Sequence, residues 1–274
     1  MNDRLYALYL AAFPYHPVTR QLFEKKLLGE GVKLLTEERE GELCGFALLD
    51  GNAVTLLAVS SRRRGMGIGS ALLSACEKAA LCGGFSSVRL GQGKHYLFQG
   101  VPCGLSEGDA FGFFEKRGYS ALWESEDMGL SLGDYREEAS GLVCPDAVSF
   151  GYAGAEDHKA LPTLVARVNP NWVRYFTPDR TVLLAKEGGE TVGFAILEEG
   201  YYALDGSVGS VGCVGVLPEK RRRGIGRVLV ARAMTCLKEK GYTACELRYV
   251  SSADFYSPLG FTVTRRFLMS EKAL

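Results

Sequence analysis

The chain has no Cys-x-x-Cys pair, only three histidines, no net charge, and no apolar run long enough to cross a bilayer. Each lack closes off a class of function. Eight cysteines (Cys44, Cys76, Cys82, Cys103, Cys144, Cys213, Cys236 and Cys245) are scattered, several within apolar-periodic segments. They read as reduced, mostly buried thiols in a cytosolic protein, not a disulfide framework. His16, His95 and His158 have no ligand spacing, so no metal site is expected. Lysine plus arginine (32) balance aspartate plus glutamate (32), which argues against a general nucleic-acid binder, whose footprint is basic. The start, MNDRLYALYLAAFPYHP, is apolar but short, interrupted, and charged at Asp3 and Arg4. It reads as neither a signal peptide nor a membrane span, and a soluble cytoplasmic protein without membrane partners is the expectation.

What the chain does have is an apolar fraction of 47% over 274 residues, enough for one large or two small cores. It also has one element twice. Val216–Val230 reads VLPEKRRRGIGRVLV: an apolar strand, a basic glycine turn, then helical periodicity. Glycines let the backbone approach a ligand, and the first amides of a helix lack intrahelical partners at its positive end. Strand, turn and helix in this order form a phosphate site. Val59–Leu73, VSSRRRGMGIGSALL, repeats it, with Arg64, Gly67 and Gly69 matching Arg221, Gly224 and Gly226 at an offset of 157.

The repeat extends further. GELCGFALL at 41–49 matches GETVGFAIL at 189–197 at an offset of 148, and FFEKRGY at 113–119 matches FYSPLGF at 255–261 at 142. The offset changes locate nine extra residues in the second copy before its glycine turn, and fifteen in the first copy within the glycine-rich loop 91–110. Loops absorb such insertions. Helices are expected at 3–13, 18–28, 69–80, 110–116, 155–168, 226–240 and 253–256, with a helical turn at 171–176. Strands are expected at 32–35, 45–49, 53–59, 87–90, 148–152, 182–186, 191–198, 208–216, 243–249 and 261–270, and two closing strands within 119–132. The polar segment 133–146 is the expected linker. The chain thus divides into domains 1–134 and 147–274, the first without an opening strand.

On RGMGIG, RRRGIG, FFEKRGY and FYSPLGF the chain resembles two tandem domains of the GNAT superfamily of N-acetyltransferases. That family's motif, Gln or Arg, two residues, Gly, one residue, then Gly or Ala, is met by Arg64-x-x-Gly67-x-Gly69 and by Arg221-x-x-Gly224-x-Gly226. The resemblance implies an α/β fold in which each domain has a mixed, mostly antiparallel sheet, flanking helices and a splayed central strand pair. It implies acetyl-CoA as cosubstrate. The pyrophosphate would lie on Arg64, Gly65, Gly67, Ile68, Gly69 and Ser70, or on Arg221, Arg222, Arg223, Gly224, Ile225, Gly226 and Arg227. The pantetheine arm would pair with Leu57 and Val59, or with Val214 and Val216. The family's proton-donating tyrosine falls at Tyr256 in the second copy, while the first has Phe114 there. A tyrosine with a pKa of about 10 stays protonated beside a thiol of about 8.5 and can donate. The second copy is therefore expected to catalyse and the first to be degenerate.

Glu198, Glu199, Glu246 and Asp254 are candidates for the general base. Loop His95–Cys103 reads as a lid, an acceptor pocket, or a plug of Tyr96, Leu97 and Phe98 between domains. Trp172 and Tyr175 either line an acceptor groove or pack their helix. The acceptor would be an amine on a small molecule or protein, and the chain a monomer or homodimer. The rival reading is a non-catalytic acyl-CoA-binding or scaffolding protein; a third uses another acyl group.

Overall fold

The structure, a computed structural model, describes residues 2–104, 110–137, 141–143 and 145–274. Cys144, residues 105–109 of the glycine-rich loop and 138–140 of the expected linker lie outside them. No helix among the described residues is long and apolar enough to cross a membrane.

The chain forms two compact units that are not contiguous in sequence. Unit 1 comprises Met1–Glu126, Tyr201–Asp205 and Arg265–Leu274; unit 2 comprises Asp127–Gly200 and Gly206–Thr264. The division at 134 and 147 suggested by the repeat therefore differs from the division by packing. The last strand of each sequence copy runs from one unit into the other.

Unit 1 opens with α1 (Asn2–Ala12) and α2 (Arg20–Leu27), then β1 (Val32–Arg39), β2 (Glu42–Asp50) and β3 (Ala53–Val59) as an antiparallel meander. Next come α3 (Ile68–Cys82), β4 (Ser87–Leu90), β5 (Val101–Cys103) and α4 (Phe111–Glu115). The alternation along β2 explains its two buried faces. Phe46 and Leu48 pack with Leu5, Tyr9 and Phe23 of α1 and α2, whereas Ala47 and Leu49 pack with Ile68, Leu72 and Cys76 of α3. The β5 strand was not expected inside the glycine-rich loop; it forms because Val101–Cys103 pairs with Arg266–Leu268. Ser270–Ala273 pairs with β4, so residues near the C-terminus complete this sheet.

β6 (Ser120–Ser131) is one strand of twelve residues, not two. Residues 120–128 hold no glycine or proline, and the turn-tolerant Ser125 and Asp127 are buried within the strand. Its end, Asp127–Ser131, belongs to unit 2 beside β11 (Ala244–Val250). Unit 2 continues as β7 (Val148–Tyr152), α5 (Ala155–Ala166), a 3-10 segment (Pro170–Tyr175), β8 (Thr181–Glu187), β9 (Glu190–Glu199), β10 (Val208–Val216), α6 (Ile225–Glu239), β11 and α7 (Ala253–Tyr256). β12 (Thr262–Ala273) begins here and ends in unit 1. The two-faced pattern of β2 recurs in β9. Phe194 and Ile196 meet Leu161 and Val165 of α5, while Ala195 and Leu197 meet Leu229 and Ala233 of α6. β7 has no counterpart in unit 1, as the missing first strand implied.

Candidate functional site

Each unit has a parallel strand pair that separates partway. β3 pairs with β4 only at Ala53–Arg89 and Val54–Leu90, and β10 with β11 only from Val208–Ala244 to Ser210–Glu246. Beyond these points β10 still pairs with β9, through Gly215–Phe194 and Val216–Gly193. The Leu217 amide donates to Val192 O at 2.9 Å on that side. Successive amides alternate along a strand, so the Val216 and Val214 amides face the opening. In unit 1 the Ser60 amide donates to Cys44 O at 2.9 Å, which turns Val59 and Leu57 to the matching opening. A bulge at Cys213–Val214, with Cys213 at φ 49°, sharpens the bend of β10.

The glycine turns close one end of each opening. Gly67 and Gly224 cap α3 and α6 in the left-handed conformation, at φ 82° and 83°, without a side-chain cap. The first intrahelical bonds, Ala71 N to Gly67 O and Val228 N to Gly224 O, leave the amides of Ile68, Gly69 and Ser70, and of Ile225, Gly226 and Arg227, without intrahelical partners. Such a turn fits a phosphate.

The motif arginines have a structural task. Arg64 Nε donates to Val59 O at 3.3 Å and Arg221 Nε to Val216 O at 3.0 Å, tying each turn back to its strand. The second glycines have a packing task. A Cβ on Gly69 would stand 3.2 Å from Phe113 Cζ, and one on Gly226 3.3 Å from Phe255 Cζ. Gly65 and Arg222 occupy matching left-handed positions, at φ 76° and 65°. Arg223 is engaged by Glu187, which also holds Lys220; both ion pairs measure 2.6 Å. Hydrogen bonds from Arg223, then Lys220, depress the Glu187 carboxyl to a pKa of about 2. This clamp was not legible in the sequence, since Glu187 lies more than thirty residues upstream.

Tyr256 ends α7 half-buried, in edge contact with Phe255 and Phe261 at 4.8 and 6.1 Å between ring centroids. Its hydroxyl makes no hydrogen bond among the described residues. Burial, followed by the nearby Cys213 thiol, pushes its pKa up to about 12. Burial likewise raises Cys213 to about 12, with Glu198, Arg180 and Arg174 the charged groups around it. Structure thus brings Tyr256, the bulge of β10 and a small charged cluster to one end of the opening in unit 2. Of the base candidates, Glu198 is ion-paired to Arg180, and Glu246 is buried at 3% exposure beneath Gly200. Trp172 packs on the apolar cluster of Leu161, Val165 and Phe176, while Tyr175 accepts from Arg174 at 2.8 Å.

The corresponding end of unit 1 is filled. Leu97, Phe98, Tyr202 and Phe267 are buried together with Phe46, Leu56 and Ala58. The Tyr202 hydroxyl donates to Leu97 O at 3.0 Å, and the His16 ring edges onto Phe98, Tyr202 and Phe267. Tyr201 and Tyr202 come from the extra residues of the second copy, and their adjacent aromatics were the signal for this plug. His95 stacks over Gly29, where a Cβ would meet its ring at 2.3 Å, and its amide donates to Asp50 at 2.7 Å. Phe114 sits at the Tyr256 position, edge-on to Tyr119 at 5.9 Å between centroids.

A GNAT acetyltransferase domain profile matches residues 178–263, and a GNAT acetyltransferase family profile matches residues 2–98. The mycothiol acetyltransferase of Streptomyces bingchenggensis is 30% identical over 271 residues, covering 88% of this chain and 81% of that protein. That of Thermobispora bispora is 29% identical over 273 residues, covering 89% and 86%. Among solved structures, a glucosamine N-acetyltransferase region of a fungal multi-domain GH3 β-N-acetylglucosaminidase superposes with a TM-score of 0.83 at 24% identity. The match covers 98% of this chain and 36% of that one. A tandem GNAT protein from the clavulanic acid biosynthesis pathway gives 0.76 at 16%, covering 99% and 94%. At these identities the solved structures speak for the fold alone.

Proposed function

The chain belongs to the GNAT family of N-acetyltransferases, and from that premise we propose that it transfers the acetyl group of acetyl-CoA to a primary amine in unit 2. The amine belongs to a small molecule; the mycothiol acetyltransferases it resembles support this over a protein acceptor. Acetyl-CoA supplies the activated thioester. The free amides of Ile225, Gly226 and Arg227, with Arg222 beside them, hold its pyrophosphate, and Val214 and Val216 pair with its pantetheine arm. The Val216 amide, turned into the opening, stabilises the developing oxyanion. Tyr256 keeps its proton at neutral pH, because burial raises its pKa to about 12; as the amine nitrogen bonds to the thioester carbon and the C–S bond breaks, Tyr256 gives its Oη proton to the departing sulfur and recovers the one that the nitrogen sheds.

The carrying observation is the contrast between Tyr256 at the open end of unit 2 and Phe114 in unit 1, whose matching end is filled by Phe98 and Tyr202. The non-catalytic, CoA-holding reading applies to unit 1 alone. CoA release would be followed with a panel of small amines and lysine peptides. Turnover of a small amine that disappears in Tyr256→Phe, with acetyl-CoA binding intact, is expected. Binding without turnover of any amine would overturn the proposal.

A further inference from the structure

The turn before α6 holds an arginine where unit 1 has a glycine. Arg222 sits at φ 65°, and its counterpart at the repeat offset, Gly65, at φ 76°. Left-handed backbone suits a glycine but crowds the Cβ of an arginine. The Arg222 side chain is exposed and makes no hydrogen bond or ion pair among the described residues, so it does not hold its own backbone there. Such a conformation persists only where the surroundings impose it.

Glu187, the last residue of β8, reaches the chain on both sides of Arg222. Lys220 Nζ donates to its Oε2 at 2.6 Å. Arg223 donates from Nη2 to Oε1 at 2.6 Å and from Nη1 to Oε2 at 3.2 Å. A lone exposed ion pair contributes little, but a two-pronged arginine contact on a shared carboxylate fixes geometry. One carboxylate thus brackets the strained residue from before and after. Unit 1 has no such bracket. At the repeat offsets Glu187, Lys220 and Arg223 match Arg39, Arg63 and Met66. Arg63 pairs with Glu42 at 3.0 Å instead, and Met66 has no charge to offer. Both copies share the glycine motif, so the bracket does not follow the motif. It follows the arginine: where the left-handed residue is glycine it is missing, and where that residue is Arg222 it is present.

We propose that Glu187 is a positioning residue for acetyl-CoA: it holds Arg222 left-handed and so keeps the turn of unit 2 set for an anionic cofactor. The inference rests on the acetyl-CoA reading of unit 2. The sign of the effect separates two roles. Were Glu187 only a nearby charge, its removal would make the turn more positive and tighten binding of an anion. A positioning role requires weaker binding. The full chain would be titrated with acetyl-CoA by calorimetry, and hydrogen exchange over residues 218–228 of the free protein followed by mass spectrometry. Glu187→Gln is expected to weaken acetyl-CoA binding about threefold to tenfold and to raise its KM while kcat at saturation is nearly kept. Exchange in the turn should also quicken. Glu190→Gln, which removes one charge from the same hairpin, should do none of this. Adding Arg222→Gly to Glu187→Gln should slow the exchange again, because glycine adopts the left-handed backbone without a bracket, as Gly65 does; a general loss of packing would not be rescued in this way. Binding by Glu187→Gln as tight as or tighter than wild type, or exchange that Arg222→Gly does not slow, would overturn the proposal. Wild-type binding with unaltered Glu187→Gln binding sinks this inference alone, whereas a wild type that binds no acetyl-CoA removes the acetyl-transfer reading and this inference with it.

Discussion

The ring of Phe255 closes directly over Gly226, its Cζ 3.3 Å from where a Cβ would stand, and no Cβ clash of any kind exists at Gly224 two residues earlier. Two glycines of one motif are thus required for different reasons. Gly226→Ala must push Phe255, and with it the start of α7. Gly224→Ala meets open space but puts an alanine at φ 83°, a cost of about 1–2 kcal/mol. Gly224→Asn should recover part of that cost, because asparagine tolerates the left-handed region, and Gly226→Asn should not recover anything. Urea melts of the four variants check this.

Tyr256→Phe removes a hydroxyl that makes no hydrogen bond among the described residues, so folding stability should barely change. The kcat is expected to fall by about 10²- to 10⁴-fold, the usual worth of a positioned proton donor. Phe114→Tyr should not add activity, since the matching end of unit 1 is filled. Steady-state CoA release, with calorimetry to show unchanged acetyl-CoA affinity, provides the measurement.

Alkali should weaken the fold through groups whose folded pKa is raised. Tyr256 moves up from 10.0 to about 12, and Cys213 from 9.0 to about 12, in both cases chiefly through burial. A raised pKa stabilises the protonated folded state fully below the unfolded value, and that stability is lost as pH rises through the folded value. Denaturant midpoints should therefore hold up to pH ~9 and fall by pH ~12. Tyr256→Phe should show a shallower fall.

Tyr202→Ala should cost about 3–5 kcal/mol, as for other large buried aromatics, because it empties the centre of the Phe98–Phe267 cluster. Tyr202→Phe should cost only about 1 kcal/mol, for the hydrogen bond to Leu97 O. Equilibrium unfolding, with hydrogen exchange in residues 94–104, distinguishes the two.

Much of this was legible in the chain. The glycine turns and the meanders follow from local signals: turn residues, alternation in β2 and β9, and helical spacing in α3 and α6; Tyr256 was singled out by the family resemblance. The packing role of Gly69 and Gly226 was not legible, because it depends on rings more than twenty residues away. The Glu187 clamp is likewise a pairing between distant segments, without a spacing rule to expose it. Two closing strands were expected within 119–132, but Ser125 and Asp127, which could have turned the chain, are buried within the single strand β6.

Loss of the C-terminal nine residues should be felt far from the C-terminus. Leu268–Arg266 pair with Val101–Cys103, and Ser270–Ala273 pair with Leu90–Ser87. Truncation after Arg265 should raise hydrogen exchange across residues 87–103, while residues 208–250, in unit 2, keep their protection. Mass-spectrometric exchange at peptide resolution would show it.

The shared closing strands also bear on how such a chain can change over generations. A duplicated half that carries Phe114 where the other carries Tyr256 would ordinarily be free to decay or be deleted. Here deleting the first copy would remove Asp127–Ser131 from unit 2, and deleting the second would remove Arg265–Leu274 from unit 1. Neither half can be discarded without stripping a strand from the other. That exchange of strands is enough to tie the first copy to the second.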